Sequence, residues 1–206
     1  PKVGTFETEL LVNSLKQSQT NIERTHTLAA GDASALSDVS IIGDSVALRS
    51  SSAFASILPD AQLDAAVSRN FDEAFSVFQN HISSGTLSKT TVLAVGVNSL
   101  GNYQEKLQQF IDNLPDGYRL VIVTPYNANN LANIEEVRNY ELGLTKTYDY
   151  VTVADWYETA TNNPNIWNGT DGVHYSDSDT TGADLYVETI QQAIQKSAKN
   201  PAKGEK

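Results

Sequence analysis

Apolar residues along this chain gather in short runs separated by longer amphipathic stretches. Val39-Ser-Ile-Ile-Gly43 opens the pattern, and comparable runs follow at 62–67, 91–95, 119–124 and 150–153. Runs that are apolar at successive positions, bounded by turn residues, predict strands covered on both faces. The stretches between them have helical spacing. At 71–83 the apolar positions are Phe71, Ala74, Phe75, Phe78 and Ile82, and at 181–198 they are Ala183, Tyr186, Val187, Ile190 and Ile194. Helices are also predicted at 45–58, 103–113 and 131–147. Strands alternating with helices predict a three-layer α/β/α protein around a five-stranded parallel sheet, doubly wound in the flavodoxin-like manner. In such a sheet a ligand sits at the carboxyl ends of the strands, near the switch point between strands 1 and 3.

This pattern occupies residues 39–198, expected as one domain. Residues 1–38 are polar and mixed, and are expected as a linker, partly helical at 7–15. Residues 199–206 are expected as a disordered tail.

Composition narrows the function. The chain has 206 residues, 40% of them hydrophobic, and a formal net charge of −11. That charge, with no basic run, argues against nucleic acid or anionic lipid as a partner. It leaves a neutral glycan or an acyl ester open. With no cysteine there is no disulfide, thiolate metal site or Cys nucleophile. No His/Asp/Glu cluster has metal-ligand spacing, so metal-free chemistry without a cofactor is expected. The lack of Cys mildly favours the outside of a cell. A chain that starts at Pro1 and contains no Met is expected to be a piece of something longer.

Three pieces carry candidate chemistry. Strand 1 runs into Gly43-Asp44-Ser45, which places Ser45 at the start of a helix, among N–H groups able to stabilise an oxyanion. Gly, Asp and Ser are also ordinary turn and N-cap residues. In Asp171-Gly172-Val173-His174 the Asp and His are three apart, so the carboxylate can accept from imidazole Nδ1 and leave Nε2 to take a hydroxyl proton. A surface Asp-Gly turn beside a bystander His would look the same. Gly96-Val97-Asn98 follows strand 3, where the Asn98 amide can reach the same oxygen as the Ser45 N–H. What distinguishes these pieces is their conjunction. A doubly wound sheet brings all three to one edge.

That set resembles the SGNH hydrolases, whose blocks are Gly-Asp-Ser, Gly, Gly-x-Asn and Asp-x-x-His. The resemblance runs from about Val39 to Ile194 and implies the SGNH hydrolase fold, with Ser45, Asp171 and His174 as a catalytic triad. It also implies an oxyanion hole from the N–H groups of Ser45 and Ser68 and the side chain of Asn98. One block departs. Ala66-Val67-Ser68-Arg69 stands where the family has a Gly, so the donor is kept but on a residue with fewer backbone options. The wording of Gly43–Val46, Ala66–Arg69 and Asp171–His174 is most similar to the extracellular catalytic domains of Gram-positive peptidoglycan O-acetyltransferases, the OatA type.

This finer resemblance implies an acetyl-serine intermediate and transfer to the C-6 hydroxyl of MurNAc in peptidoglycan. Glycan strands would be the partner, with acetyl groups supplied by a membrane acyltransferase domain. The location would be the outer face of the membrane or the cell wall, tethered through a transmembrane domain outside this chain. An esterase delivering the acyl group to water is the alternative, and a non-catalytic glycan-binding module a third reading. Val46, Trp167 and Tyr175 are expected to touch substrate, beside Trp156 and Tyr157. Arg49 and Arg69 lie near the motifs and are expected as solvated arginines, with contact to a substrate carboxylate as the alternative.

Overall fold

The computed structural model describes residues 12–19 and 33–206. Residues 12–19 are helical and belong to a unit separate from Leu36–Lys206. The predicted helix at 7–15 is thus described only in its second half, and most of the expected linker lies outside the described residues.

The second unit holds a five-stranded, wholly parallel sheet in the order β2-β1-β3-β4-β5. The strands are β1 (Val39–Gly43), β2 (Gln62–Ala65), β3 (Thr90–Ala94), β4 (Arg119–Val123) and β5 (Val151–Ala154). The chain reverses its direction of winding between β1 and β3, which opens a crevice at their carboxyl ends. Successive side chains of a strand face opposite ways. Ile41, Val92 and Val121 therefore enter one core and Ile42, Leu93 and Ile122 the other. Each layer of helices needs its own apolar face, which explains why the inner strands are buried on both faces and read as largely apolar runs.

On the first face lie α1 (Ser45–Arg49), α2 (Ser51–Ile57), α6 (Trp156–Asn162) and α7 (Thr181–Ser197). On the second lie α3 (Phe71–Ser83) and α4 (Tyr103–Asn113), joined by Leu144 of α5 (Leu131–Thr147). The α3 start is fixed by a capping box, in which Asn70 accepts from the Glu73 N–H and Glu73 from the Asn70 N–H.

Four expectations change. The helix predicted at 45–58 is two helices, because the Ser50 hydroxyl turns back onto the Val46 carbonyl at 3.0 Å and interrupts the ladder. β2 ends at Ala65, freeing 66–69 for a turn. α6 and a 3-10 turn at Pro164–Trp167 had no clear apolar stripe and were not expected. The tail at 199–206 is placed on the domain. The Gly117 N–H donates to the Lys203 carbonyl at 2.7 Å and the Lys203 N–H to the Tyr118 carbonyl at 2.9 Å, while Ala202 is buried. Paired amides and a buried methyl outweigh the polar composition that suggested disorder.

Candidate active site

The site grows from the end of β1. Gly43 is its last residue, and a Cβ there would lie 2.3 Å from the Ala47 Cβ, so only glycine lets α1 start so close to the strand. Asp44 caps α1 by accepting from the Val46 N–H at 2.9 Å. Burial pushes its carboxyl up to about 6, against the pull of the Val46 and Ala47 N–H groups and of His174. Ser45 then opens α1, partly exposed.

His174 and Asp171 come from the loop before α7. Ser45 Oγ lies 2.7 Å from His174 Nε2, and His174 Nδ1 lies 2.8 Å from Asp171 Oδ2. The second carboxylate oxygen accepts from the N–H groups of Val173, at 2.9 Å, and His174, at 2.8 Å. The His174 N–H and ring, followed by the Val173 N–H, hold the Asp171 carboxyl down to about 2. With Asp171 anionic, Nδ1 carries the imidazole proton and Nε2 is left to accept from the Ser45 hydroxyl.

The loop after β4 supports this loop from behind. The Ala128 N–H donates to the Gly172 carbonyl at 2.9 Å and Asn129 Nδ2 to the Asp171 carbonyl at 2.8 Å. Gly172 has φ +77°, and a Cβ on it would sit 2.8 Å from the Ala128 Cβ, so the motif needs glycine there. Sequence reasoning passed over Ala128 and Asn129, since nothing in an Asn-rich loop signals which residue reaches across.

The turn after β2 brings in Ser68, exposed, with φ +59°. A serine thus adopts the left-handed conformation that a glycine takes without cost. Asn98 comes from the loop after β3, and its Nδ2 donates to the Arg69 carbonyl at 3.3 Å. Arg69 is buried, not solvated, which corrects the expectation for it. Arg49 is exposed, donates to the Tyr175 carbonyl at 2.9 Å and pairs with Asp177 at 3.3 Å.

Two expected substrate contacts do not stand. Val46 and Tyr175 are 4% and 1% exposed, so neither can touch a glycan here. Val46 packs beneath the site, and the Tyr175 hydroxyl is spent on Ser50 and the Val46 carbonyl. Trp156 is buried as well. Trp167 remains half-buried, stacked on Tyr126 with centroids 4.6 Å apart. Beside His174 a hollow of about 290 Å³ is lined by Arg49, Asn168, Thr170, Ser176 and Asp177 among others. Among the described residues no group of His, Asp and Glu side chains could hold a metal ion, and no helix is long and apolar enough to cross a membrane.

A parallel sheet in this order, with a Ser-His-Asp chain at its carboxyl edge, is the arrangement of the SGNH hydrolases. The C-terminal catalytic domain of Streptococcus pneumoniae peptidoglycan O-acetyltransferase A (OatA), determined with a methylsulfonyl adduct, matches with TM-score 0.78 and 36% identity over 82% of this chain and 98% of that one. A lipase/acylhydrolase from Enterococcus faecalis matches with TM-score 0.61 and 13% identity, over 82% of this chain and 98% of that one, which shows a common fold. No protein-family model and no curated protein matches the chain. The chain belongs to the family of the OatA catalytic domain, within the SGNH hydrolases. It is an enzyme of the acyl-transfer and hydrolase kind.

Proposed function

We propose that this enzyme is a peptidoglycan O-acetyltransferase that carries an acetyl group on Ser45 to the C-6 hydroxyl of MurNAc. The observation that carries the proposal is the unbroken chain from Ser45 Oγ through His174 to Asp171, 2.7 and 2.8 Å long, in a protein 36% identical to an O-acetyltransferase catalytic domain. In the first half-reaction Ser45 Oγ attacks the acetyl carbon while its proton moves to His174 Nε2. The oxyanion is held by the N–H groups of Ser45 and Ser68 and by Asn98 Nδ2. The carbonyl re-forms, the donor's oxygen leaves with the proton from Nε2, and acetyl-Ser45 remains. In the second half a sugar hydroxyl gives its proton to Nε2 and attacks the acetyl-serine. Collapse returns that proton to Ser45 Oγ.

Hydrolysis shares every step up to acetyl-Ser45, so transfer requires a sugar held in attack geometry. Effective molarities of about 10⁵ M or more for well-oriented groups make this sufficient to outrun water. The polar hollow beside His174, with the Trp167 ring at the start of the same loop, is where such a sugar would dock. The natural setting would be the cell wall, with acetyl groups arriving from a membrane acyltransferase domain.

The test is to supply a small activated acetyl ester with and without a peptidoglycan-type oligosaccharide, and to weigh the sugar by mass spectrometry. Acetylated sugar is expected, together with slow acetate release when no acceptor is present. Ser45→Ala should abolish both turnover and labelling by a sulfonyl fluoride. Fast acetate release with the sugar never modified would replace this reading by an esterase.

A further inference from the structure

Outside the Ser-His-Asp chain, the most heavily engaged buried cation of the second unit is Arg69. It is only 9% exposed, beside a turn that could have placed it in water. Its Nη1 donates to the Asp64 carbonyl at 2.6 Å and to the Gly43 carbonyl at 3.3 Å, and its Nη2 to Asp64 Oδ1 at 2.9 Å. Asp64 is held in turn. Its Oδ2 lies 3.0 Å from His81 Nε2, and His81 Nδ1 lies 2.8 Å from Thr86 Oγ1. Burying a guanidinium is costly unless its donors are met by well-placed acceptors, and here Asp64 and the Gly43 carbonyl meet them.

What the network fixes lies at its other end. Gly43 is the residue before Asp44-Ser45, and its carbonyl also accepts from the Ala66 N–H at 3.2 Å, so β1 and the turn after β2 are joined there. Ser68, directly before Arg69, has φ +59°, a conformation that is unfavourable for a serine and persists only where its surroundings impose it. The Arg69 carbonyl takes one N–H of the Asn98 amide, which fixes the rotation of that amide and leaves its second N–H to point elsewhere. One residue therefore touches the segments that carry all three donors of the proposed oxyanion hole.

We propose that Arg69 is the positioning residue of the oxyanion hole: its guanidinium locks the β1 end and the Ser68 turn together, and its carbonyl aims the Asn98 amide. The inference rests on the reading of Ser45, Ser68 and Asn98 given above. Arg69 itself touches neither the substrate nor the reacting atoms. It explains why a serine can stand in place of glycine at position 68. The backbone freedom that glycine supplies is replaced here by a clamp that holds a serine in the same region.

The experiment compares wild type with Arg69→Ala, Arg69→Lys and Asp64→Asn in hydrolysis of an activated acetyl ester, each assayed well below its own melting temperature. Removal of one oxyanion donor costs about 10²–10³ in kcat. Arg69→Ala, which loosens more than one, is expected to lower kcat by at least about 10²-fold with KM nearly unchanged, and added guanidinium ion should restore part of it. Arg69→Lys lacks the planar fork and should recover little, while Asp64→Asn should show a smaller fall of the same kind. If Arg69→Ala does not fold, the Lys and Asn variants carry the comparison. Wild-type kcat in the folded variants overturns the inference. So does a loss confined to KM, or one that vanishes when rates are compared at equal distances below each melting temperature. Ser45→Ala is run alongside. Turnover surviving in that variant would bring down the Ser45 reading, whereas turnover lost there but kept in the Arg69 variants would bring down this inference alone.

Discussion

At the scale of single residues the proposed mechanism divides the site into groups that move protons and groups that aim them. In it Asp171 belongs to the second kind, its carboxyl held down to about 2 by the His174 N–H and ring. Asp171→Asn would keep an oxygen for the His174 and Val173 N–H groups but could present an NH₂ to Nδ1, forcing the wrong tautomer. A loss of up to about 10⁴ in kcat is expected from the behaviour of such triads, read from steady-state ester hydrolysis. An Asn variant with wild-type rate would remove Asp171 from the triad. Asn98→Ala should cut kcat by about 10²–10³ and leave KM nearly unchanged. A pure KM effect would make Asn98 a binding residue instead. Ser45, His174 and Asp171, which the structure brings within hydrogen-bonding reach of one another, could be picked out in the sequence because each sits in a short motif at the end of a predicted strand or just before the last helix. Arg69 could not. Whether an arginine beside a motif is solvated or buried depends on acceptors from β1 and β2 that become its neighbours only once the sheet forms.

The elements that hold these residues meet in close contacts that admit little change. Gly182, in the first turn of α7, lies against the Tyr175 ring, and a Cβ there would come within 2.6 Å of Cγ and Cδ2. Tyr175 directly follows His174 and is itself pinned by Ser50 at the junction of α1 and α2. Gly182→Ala should therefore lower stability by about 1–3 kcal/mol, the usual cost of overpacking, and displace His174 from Ser45. Thermal melts would read the first effect and the rate of sulfonyl-fluoride labelling the second. A variant with lowered melting temperature but unchanged labelling would show that Tyr175 supports the fold without setting the histidine. A run of helix-compatible residues from 45 to 58 gives no sign of the break at Ser50, because the sequence does not tell whether a serine hydroxyl faces water or turns back onto the Val46 carbonyl. The strands were legible because burial on both faces writes itself into consecutive positions. Tyr175 was misplaced because an aromatic beside a motif has the same letters whether it floors a groove or fills a core.

Over the whole molecule the formal charge is −11, and α5 carries one of the acidic groups into the core. Ile134, Val137, Glu141 and Leu144 form the buried stripe of that helix, so a glutamate occupies a position with core spacing. Glu141 is fully buried, and neither carboxylate oxygen has a hydrogen-bond partner among the described residues. Burial, with the negative charge of Asp155 adding to it, raises its pKa well above the ordinary 4.5. The folded protein therefore keeps this proton at pH values where the unfolded chain releases it. Because the folded pKa is the higher one, the effect on stability is absent below about pH 4.5. Above that it is unfavourable, and it grows by up to about 1.4 kcal/mol for each pH unit until the folded group itself ionises. Glu141→Gln removes the proton linkage while preserving shape. Its unfolding free energy from urea titration should match wild type near pH 4.5 and exceed it increasingly toward pH 7, with ester turnover unchanged because α5 supplies no group of the site. Equal stabilities of the two proteins at pH 4.5 and pH 7 would mean that the carboxyl ionises in place, with a partner or a path to water that its burial does not suggest.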